Sequence, residues 1–541
     1  MHPVTPYLII AALAAYTGAL IAVSGRAQRK RAGDASGEGF LHGGRSFGFR
    51  HVFILVTVLW ASSIFVVELE TGFLSGISAV WFGISVILMS VLVAAFLLKP
   101  FQRIGYLTNS RMIGERYGRA AQRFSAAVIA LTFPIFAMSN VLAAAEFIHA
   151  LVGWGLPLTL TLTTAIMLVY VGQSGMWSLV YTQTLNLIAL TAGVAVAAWF
   201  LLRAPASALH PVHVQGFHSW TGIGIGTIAV WLLMNVLNSI SAQAELQAIA
   251  AVRNPRRGQA AVYVSALVLI AFTIVPVWLG MRTREIFPQA AKGLAAFPAA
   301  VAQVAPPWAL LVVALGVWAA ALAWCAPLLF SGASSFGADL FARQPGATAG
   351  GRRPDVRTLT RYGLIVQGVL VVVVSLLRPE ELAWWRVFGQ TIRSAAIFAP
   401  TAAYFLWPLA TRRGALWSMT TGVASSLLWN AATGFSATRF LFAVNPMWVG
   451  LTVSSAALVA ASLTQRGLPM RRRPSAPCCA SFVSAAAVAA AAALTWFVDP
   501  ALHGALLCLS SLFALAGLAL AATPPGRAHA ALAEQDAPRA G

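Results

Sequence analysis

The sequence predicts an all-α polytopic membrane protein, and three observations carry that prediction. Hydrophobic residues make up 59% of the 541 and charged residues 9%, a balance that suits a chain whose solvent is largely lipid. Fifteen apolar stretches run from residue 4 to residue 522, most of them long enough to cross a hydrocarbon core of about 30 Å as helices. Lys and Arg gather in every second gap between these stretches, as they do on the cytoplasmic side of a bilayer. That placement accounts for the net charge of +21, and no basic stripe interleaved with aromatics points to nucleic acid.

The first apolar run, 4–23, lacks the basic leader of a signal peptide and is followed by Arg26, Arg29, Lys30 and Arg31. It reads as an uncleaved span with the N-terminus outside. Further spans are expected near 51–76, 78–99, 123–152, 156–173, 180–203, 222–250 and 259–281. The rest fall near 306–336, 358–377, 384–410, 413–431, 444–465, 479–497 and 501–522. In this phase the gaps 26–50, 99–119, 253–257, 343–361, 412–413 and 466–473 become cytoplasmic. The opposite gaps hold few cations, chiefly Arg282, Arg284, Lys292 and Arg378. The expected location is a bacterial-type inner (plasma) membrane, multi-pass, with the C-terminus cytoplasmic.

Two segments outside the spans need only brief readings. The loop 204–220 holds His210, His213 and His218, but a solvated loop explains them more simply than a metal site, so no metal is assigned. The tail 523–541 is rich in Ala, Pro and Gly without apolar periodicity and is expected to be disordered. Cys325, Cys478, Cys479 and Cys508 lie in or beside apolar spans without ligand spacing and read as packing residues.

Polar groups at membrane depth are costly, so they mark where a site is to be sought. The second span carries Trp60, Ser62, Ser63, Glu68 and Glu70; the seventh carries Asn235, Asn238, Ser239, Ser241, Gln243, Glu245 and Gln247. Asn235, Asn238, Ser239 and Ala242 share one helical face, which should turn away from lipid. Glu68 and Glu70 project about 200° apart on a regular helix, so both face the interior only if the helix breaks there. Glu146 lies late in the fourth span with His149 one turn away. The glycines 222, 224 and 226 open a hydrophobic helix with no strand before them and read as close-packing positions. Pro134, Pro276, Pro327 and Pro400 are expected kinks.

Several ordered segments resemble the sodium:solute symporter family. Gly39 to Ser46 resembles its "yflaGRs" segment, and Thr108 to Gly118, ending Glu115-Arg116-Tyr117-Gly118, its "T.pe.le.RyG" loop. Gly172 to Asn186, Gln243 to Gly258, Ser331 to Arg343 and Ala399 to Ala415 resemble four further family segments in the same order. The resemblance implies a LeuT-type fold of two inverted five-helix repeats, with one extra N-terminal and about four extra C-terminal helices. On that basis the chain divides into a leading span and basic loop (1–50), a transporter core (51–410, with repeats 51–203 and 222–410), accessory spans (411–522) and the tail.

The resemblance further implies a sodium site, and this chain departs from it. With Asp339 set on the family's Asp, the serines that would offer oxygens fall on Ala323 and Trp324; the family's second Asp falls on Gln183 and the Arg of its "QR" on Ala248. Coupling is therefore expected to use protons at Glu68, Glu146 or Glu245, or to be absent, because burial raises the proton affinity of carboxylates. The coupling ion, sodium or proton, stays open at this point, and no cofactor is expected. Setting Gly76 on its family counterpart makes Trp60, Ser62 and Ser63 substrate-binding candidates, faced by Asn235, Asn238 and Ser239. The expected function is secondary transport of a small polar organic solute by alternating access, with an amine favoured. The alternative is a degenerate carrier fold acting as a solute sensor or partner subunit. Enzymatic activity is not expected, since no nucleophile and base can be paired at membrane depth. The expected partners are the solute and the bilayer.

Overall fold

The computed structural model describes residues 5–30, 43–104, 108–172, 175–341, 356–377, 382–436, 440–466, 475–495 and 499–523. The basic positions in 31–42, 343–355 and 467–473, together with Arg378 and the tail beyond Thr523, lie outside the described residues.

Each of the fifteen apolar stretches is helical. In chain order the helices are α1 (Thr5–Lys30), α2 (Phe49–Ser75), α3 (Val80–Leu92), which passes through a π turn into α4 (Leu98–Ile104), and α5 (Asn109–Tyr117). They continue with α6 (Arg119–Val152), α7 (Leu156–Gly172), α8 (Met176–Leu202), α9 (Ile225–Asn238), α10 (Gln243–Ala250), α11 (Pro255–Ile286), α12 (Gly293–Val304) and α13 (Pro307–Ser334). The chain ends with α14 (Val356–Leu377), α15 (Leu382–Leu406), α16 (Arg412–Ala432), α17 (Pro446–Arg466), α18 (Ala476–Thr495) and α19 (Pro500–Ala522). Among the described residues ten helices are long and apolar enough to cross a membrane, or eleven if the bent pair α9–α10 counts as one. The burial pattern suits lipid, with Ile188, Leu267, Leu377, Leu428 and Val483 exposed on helix faces while serines and asparagines lie inside.

The packing has the symmetry of an inverted repeat. Taking α2, α3, α6, α7 and α8 as one half and α9–α10, α11, α13, α14 and α15 as the other, α2 packs on α11 and α9 on α3. Likewise α6 packs on α15 and α13 on α8, while the two third helices, α6 and α13, pack on each other. Exchanging the halves converts each contact into its counterpart. The short helices α5 and α12, absent from the sequence expectation because they are only 9 and 12 residues long, follow the second helix of each half. The central spans are α6 and α13, each 83% buried, whereas α18 at the periphery is 17% buried.

The family-like segments hold elements together. The backbone of Phe47 exchanges hydrogen bonds with Ala251 and Arg253, tying the start of α2 to the end of α10. Arg116 donates to the carbonyls of Ala403, Tyr404 and Trp407 at 2.6–2.7 Å, satisfying orphan acceptors at the end of α15. Asp339 accepts from Ser110 at 2.6 Å and from Gln122 at 3.4 Å, joining the end of α13 to α5 and α6. Gly72 and Gly280 bring the α2 and α11 backbones together, since a Cβ on either would strike main-chain atoms of the other helix.

Candidate functional site

The two helices that open the repeats differ. Helix α2 is continuous from Phe49 to Ser75, so the break that would let Glu68 and Glu70 face the interior on one side is absent. From Val52 to Leu69 it contains neither Gly nor Pro, so nothing in its backbone favours leaving the helix. The seventh stretch, by contrast, breaks. Its two parts meet at 52°, with Ala242 at φ −76°, ψ 59°. At the break Ser239 donates to the Val236 carbonyl at 2.7 Å, as Ser62 does to Leu59 in unbroken α2, while Ser241 donates to both oxygens of Asn238 and offers the backbone a side-chain alternative to the helical ladder. Gln243 then holds the junction, donating to the hydroxyls of Ser331 and Ser335 at 3.0 Å and accepting from the Asn109 N–H at 2.9 Å. The Asn109 amide in turn donates to the Ile240 carbonyl at 2.8 Å.

Beside this junction, about midway along α2, α6 and α13, is a small cavity. Its walls include Trp60, Phe133, Phe136 and Trp324, and its polar groups are Asn238, Glu245 and Arg393. Arg393, 1% exposed, lies over the rings of Phe133 and Phe136 at 4.8 Å each and donates through Nη2 to Asn238 Oδ1 at 3.0 Å. Its Nε and Nη1 have no partner. Glu245, also 1% exposed, faces Ser90 and Trp60, yet neither of its oxygens has a partner at hydrogen-bonding geometry. The Trp60 indole lies 5.7 Å from that of Trp324, which also contacts Phe136.

Of the six residues expected to bind solute, Trp60 and Asn238 line this cavity. The others are engaged elsewhere or buried in packing. Asn235 donates to the Ser85 hydroxyl at 2.8 Å, Ser62 to the Leu59 carbonyl at 2.8 Å, and Ser239 bonds within its own helix as described. Ser63 is fully buried in α2.

The three carboxylates expected to couple an ion also separate. Glu245 faces the cavity. Glu68 is 0% exposed and lies away from it, accepting from the Gly83 N–H in the first turn of α3 at 2.7 Å. Glu70 accepts from the Leu294 N–H in the first turn of α12 at 2.7 Å. Glu68, buried, and Glu70, half-buried, both find partners without a break because their opposite directions on α2 meet two different helix N-termini, each favourable to negative charge. Glu146 pairs with Lys292 at 3.0 Å rather than with His149, whose ring bonds the Trp154 carbonyl. No group of three metal-ligating side chains occurs among the described residues, His210, His213 and His218 included.

At the positions where the resemblance implied a sodium site, the Gln183 amide donates to the Ala323 carbonyl at 2.8 Å. Asn186 donates to Gln183 Oε1 at 2.8 Å and accepts from the Tyr16 hydroxyl at 2.8 Å, forming a chain from α1 through α8 to α13. A fully buried indole, Trp324, fills the next position. The residues present do not fit a sodium ion, which wants about six oxygens, because an amide donor and an indole occupy the place of oxygen ligands. Sequence reasoning missed Arg393: of the two arginines in the eleventh span it lies deeper than Arg386, and that depth was the available signal.

Comparison with known proteins agrees with this fold. The sodium:solute symporter family model matches residues 40–213, less than half of the chain, and bears out the resemblance seen in the sequence. A Na+-coupled sialic acid symporter, solved in a substrate-bound outward-open state, is similar with a TM-score of 0.67 at 14% identity; the match covers 85% of this chain and 98% of that one. The fold is thus LeuT-type and the protein a multi-pass membrane protein. Two more distant structures are a nucleobase-cation-symport-1 family transporter with bromovinylhydantoin bound (TM-score 0.46, 16% identity, 92% and 94% covered) and a mutant manganese transporter of Eremococcus coleocola (TM-score 0.40, 13%, 89% and 95%). No curated protein matches the sequence.

Proposed function

We propose that the chain is a secondary transporter that carries a small polar organic solute through the Trp60–Arg393 cavity by alternating access, without sodium at the Gln183–Ala323 position. The family match and the fold support the transporter class, and the distribution of Lys and Arg supports a cytoplasmic C-terminus in a bacterial-type inner membrane. One observation carries the claim about sodium: the Gln183 amide donates to the carbonyl that a cation would need. The closed backbone of α2 adds to it, because helical carbonyls there are already used.

The break between α9 and α10 supplies the moving part. Its polar groups are held by side chains from α5 and α13, so the two half-helices can tilt about Ala242 while α2 stays rigid against α11. Among Glu68, Glu146 and Glu245, the last is the one placed to exchange a proton with the cavity.

The test is solute uptake in proteoliposomes under a sodium gradient, a proton gradient or neither. The proposal expects the same uptake with and without sodium. A proton-driven component lost in Glu245→Gln assigns coupling to that carboxylate. Accumulation that requires a sodium gradient contradicts the proposal, and saturable binding without flux favours the sensor reading.

A further inference from the structure

The cavity holds two opposite charges that do not meet. Glu245 and Arg393 are both 1% exposed and both line it, yet they do not pair: the Glu245 carboxylate faces only the neutral Ser90 and Trp60, and Nε and Nη1 of Arg393 have no hydrogen-bond partner. Burying a charged group without hydrogen-bond partners is strongly unfavourable, and no ion pair joins Glu245 to Arg393 to offset it. Nothing prevents pairing on chemical grounds; the geometry holds them apart. Arg393 is fixed by the two phenylalanine faces and by Asn238, while Glu245 sits on α10, beyond the break.

We infer that the solute is a compact zwitterion, its anionic group on Arg393 and its cationic group on Glu245. This inference rests on reading the cavity as the solute site. A guanidinium suits a carboxylate, since its planar N–H donors match carboxylate oxygens, and a carboxylate beside indoles suits an ammonium group. The cavity is small, which suits a compact solute. A bound zwitterion satisfies both buried ions at once and joins α10 to α15, so the same contacts that select the solute bridge the break. The amine preference expected from the sequence considered the acidic side alone; Arg393 adds the second half.

The test is binding to the full-length protein in nanodiscs, read by quenching of tryptophan fluorescence and by thermal shift. The zwitterions L-alanine, β-alanine and L-leucine are compared with analogues lacking one charge: propionate, ethylamine, 4-methylpentanoate and 3-methylbutylamine. At least one zwitterion should bind saturably and each of its single-charge analogues at least about tenfold more weakly. Glu245→Gln and Arg393→Met should each cost the zwitterion at least about tenfold, and Glu245→Gln should narrow the gap between the zwitterion and its carboxylate analogue. An analogue that binds as tightly as its zwitterion overturns the inference, as does the absence of a saturable response to all three zwitterions. Because the charge-deleted ligands are tested on the wild type, a variant that fails to fold leaves the result intact. Flux of a singly charged solute in proteoliposomes would overturn the zwitterion and leave the transporter reading standing.

Discussion

Helix α2 and the pair α9–α10 occupy equivalent places in the two repeats, yet one is a continuous helix of 27 residues and the other is broken at 52°. The difference follows the residues. Along α2 the side chains from Val52 to Leu69 are mostly β-branched or aromatic, packed against α11, and the two acids near its end are absorbed by the N-termini of α3 and α12. In α9–α10, Asn238 and Ser241 compete with the helical ladder, and Gln243 replaces the lost bonds by reaching α5 and α13. An inverted repeat can thus keep its packing while concentrating backbone irregularity in one half. Helix α2 is closed beside the cavity, and the Gln183 amide occupies the Ala323 carbonyl.

The strongest way to break the comparison is at the contact that keeps α2 rigid. Gly280→Val places a Cβ against the Leu69 carbonyl and the Phe73 amide, which are main-chain atoms and cannot turn aside. Overpacking of this kind costs about 3 kcal/mol, so the variant should lose folded protein or show a large fall in Tm in detergent; a wild-type Tm would show that α2 and α11 are not held together there. Gln243→Leu comes next. It strips the junction of its contacts to Ser331, Ser335 and the Asn109 amide, leaving buried polar groups unsatisfied at a cost of about 2 kcal/mol. A reduced Tm together with lost flux is expected, and unchanged values for both would deny Gln243 its part in holding the break.

Smaller effects sharpen the reading of the acids. Glu70→Gln removes a negative charge from the N-terminus of α12, worth about 1 kcal/mol in a partly buried setting, and thermal unfolding should fall by that order with flux retained. Glu68→Gln should do least: its amide oxygen still accepts from the Gly83 N–H, so uptake and its pH profile should stay within about twofold of wild type. Loss of pH dependence in this variant would return Glu68 to the coupling machinery.

Much of the fold was legible because hydropathy and charge placement are summed over whole spans, and all fifteen stretches became helices. The short helices α5 and α12 escaped, since 9 and 12 residues are too few to give a spanning signal. Within the site, Trp60 and Asn238 were found through their cost at membrane depth, and Ala323, Trp324 and Gln183 through the resemblance. What sequence did not show is which way a side chain turns: Glu68 and Glu245 are equally conspicuous as letters, and only tertiary packing sends one to a helix N-terminus and the other to the cavity. Arg393 was hidden for the same reason, because its neighbours Phe133, Phe136 and Asn238 lie on helices distant in sequence.

The most direct test of a one-sided break without sodium is hydrogen exchange by mass spectrometry on the protein in nanodiscs, in sodium buffer and in choline buffer. The account predicts that residues 239–243 exchange at least about tenfold faster than residues 56–66 of α2, and that the pattern is the same in both buffers. Fast exchange in 56–66, or protection of that segment by sodium alone, would show that α2 opens around the ion and would contradict it.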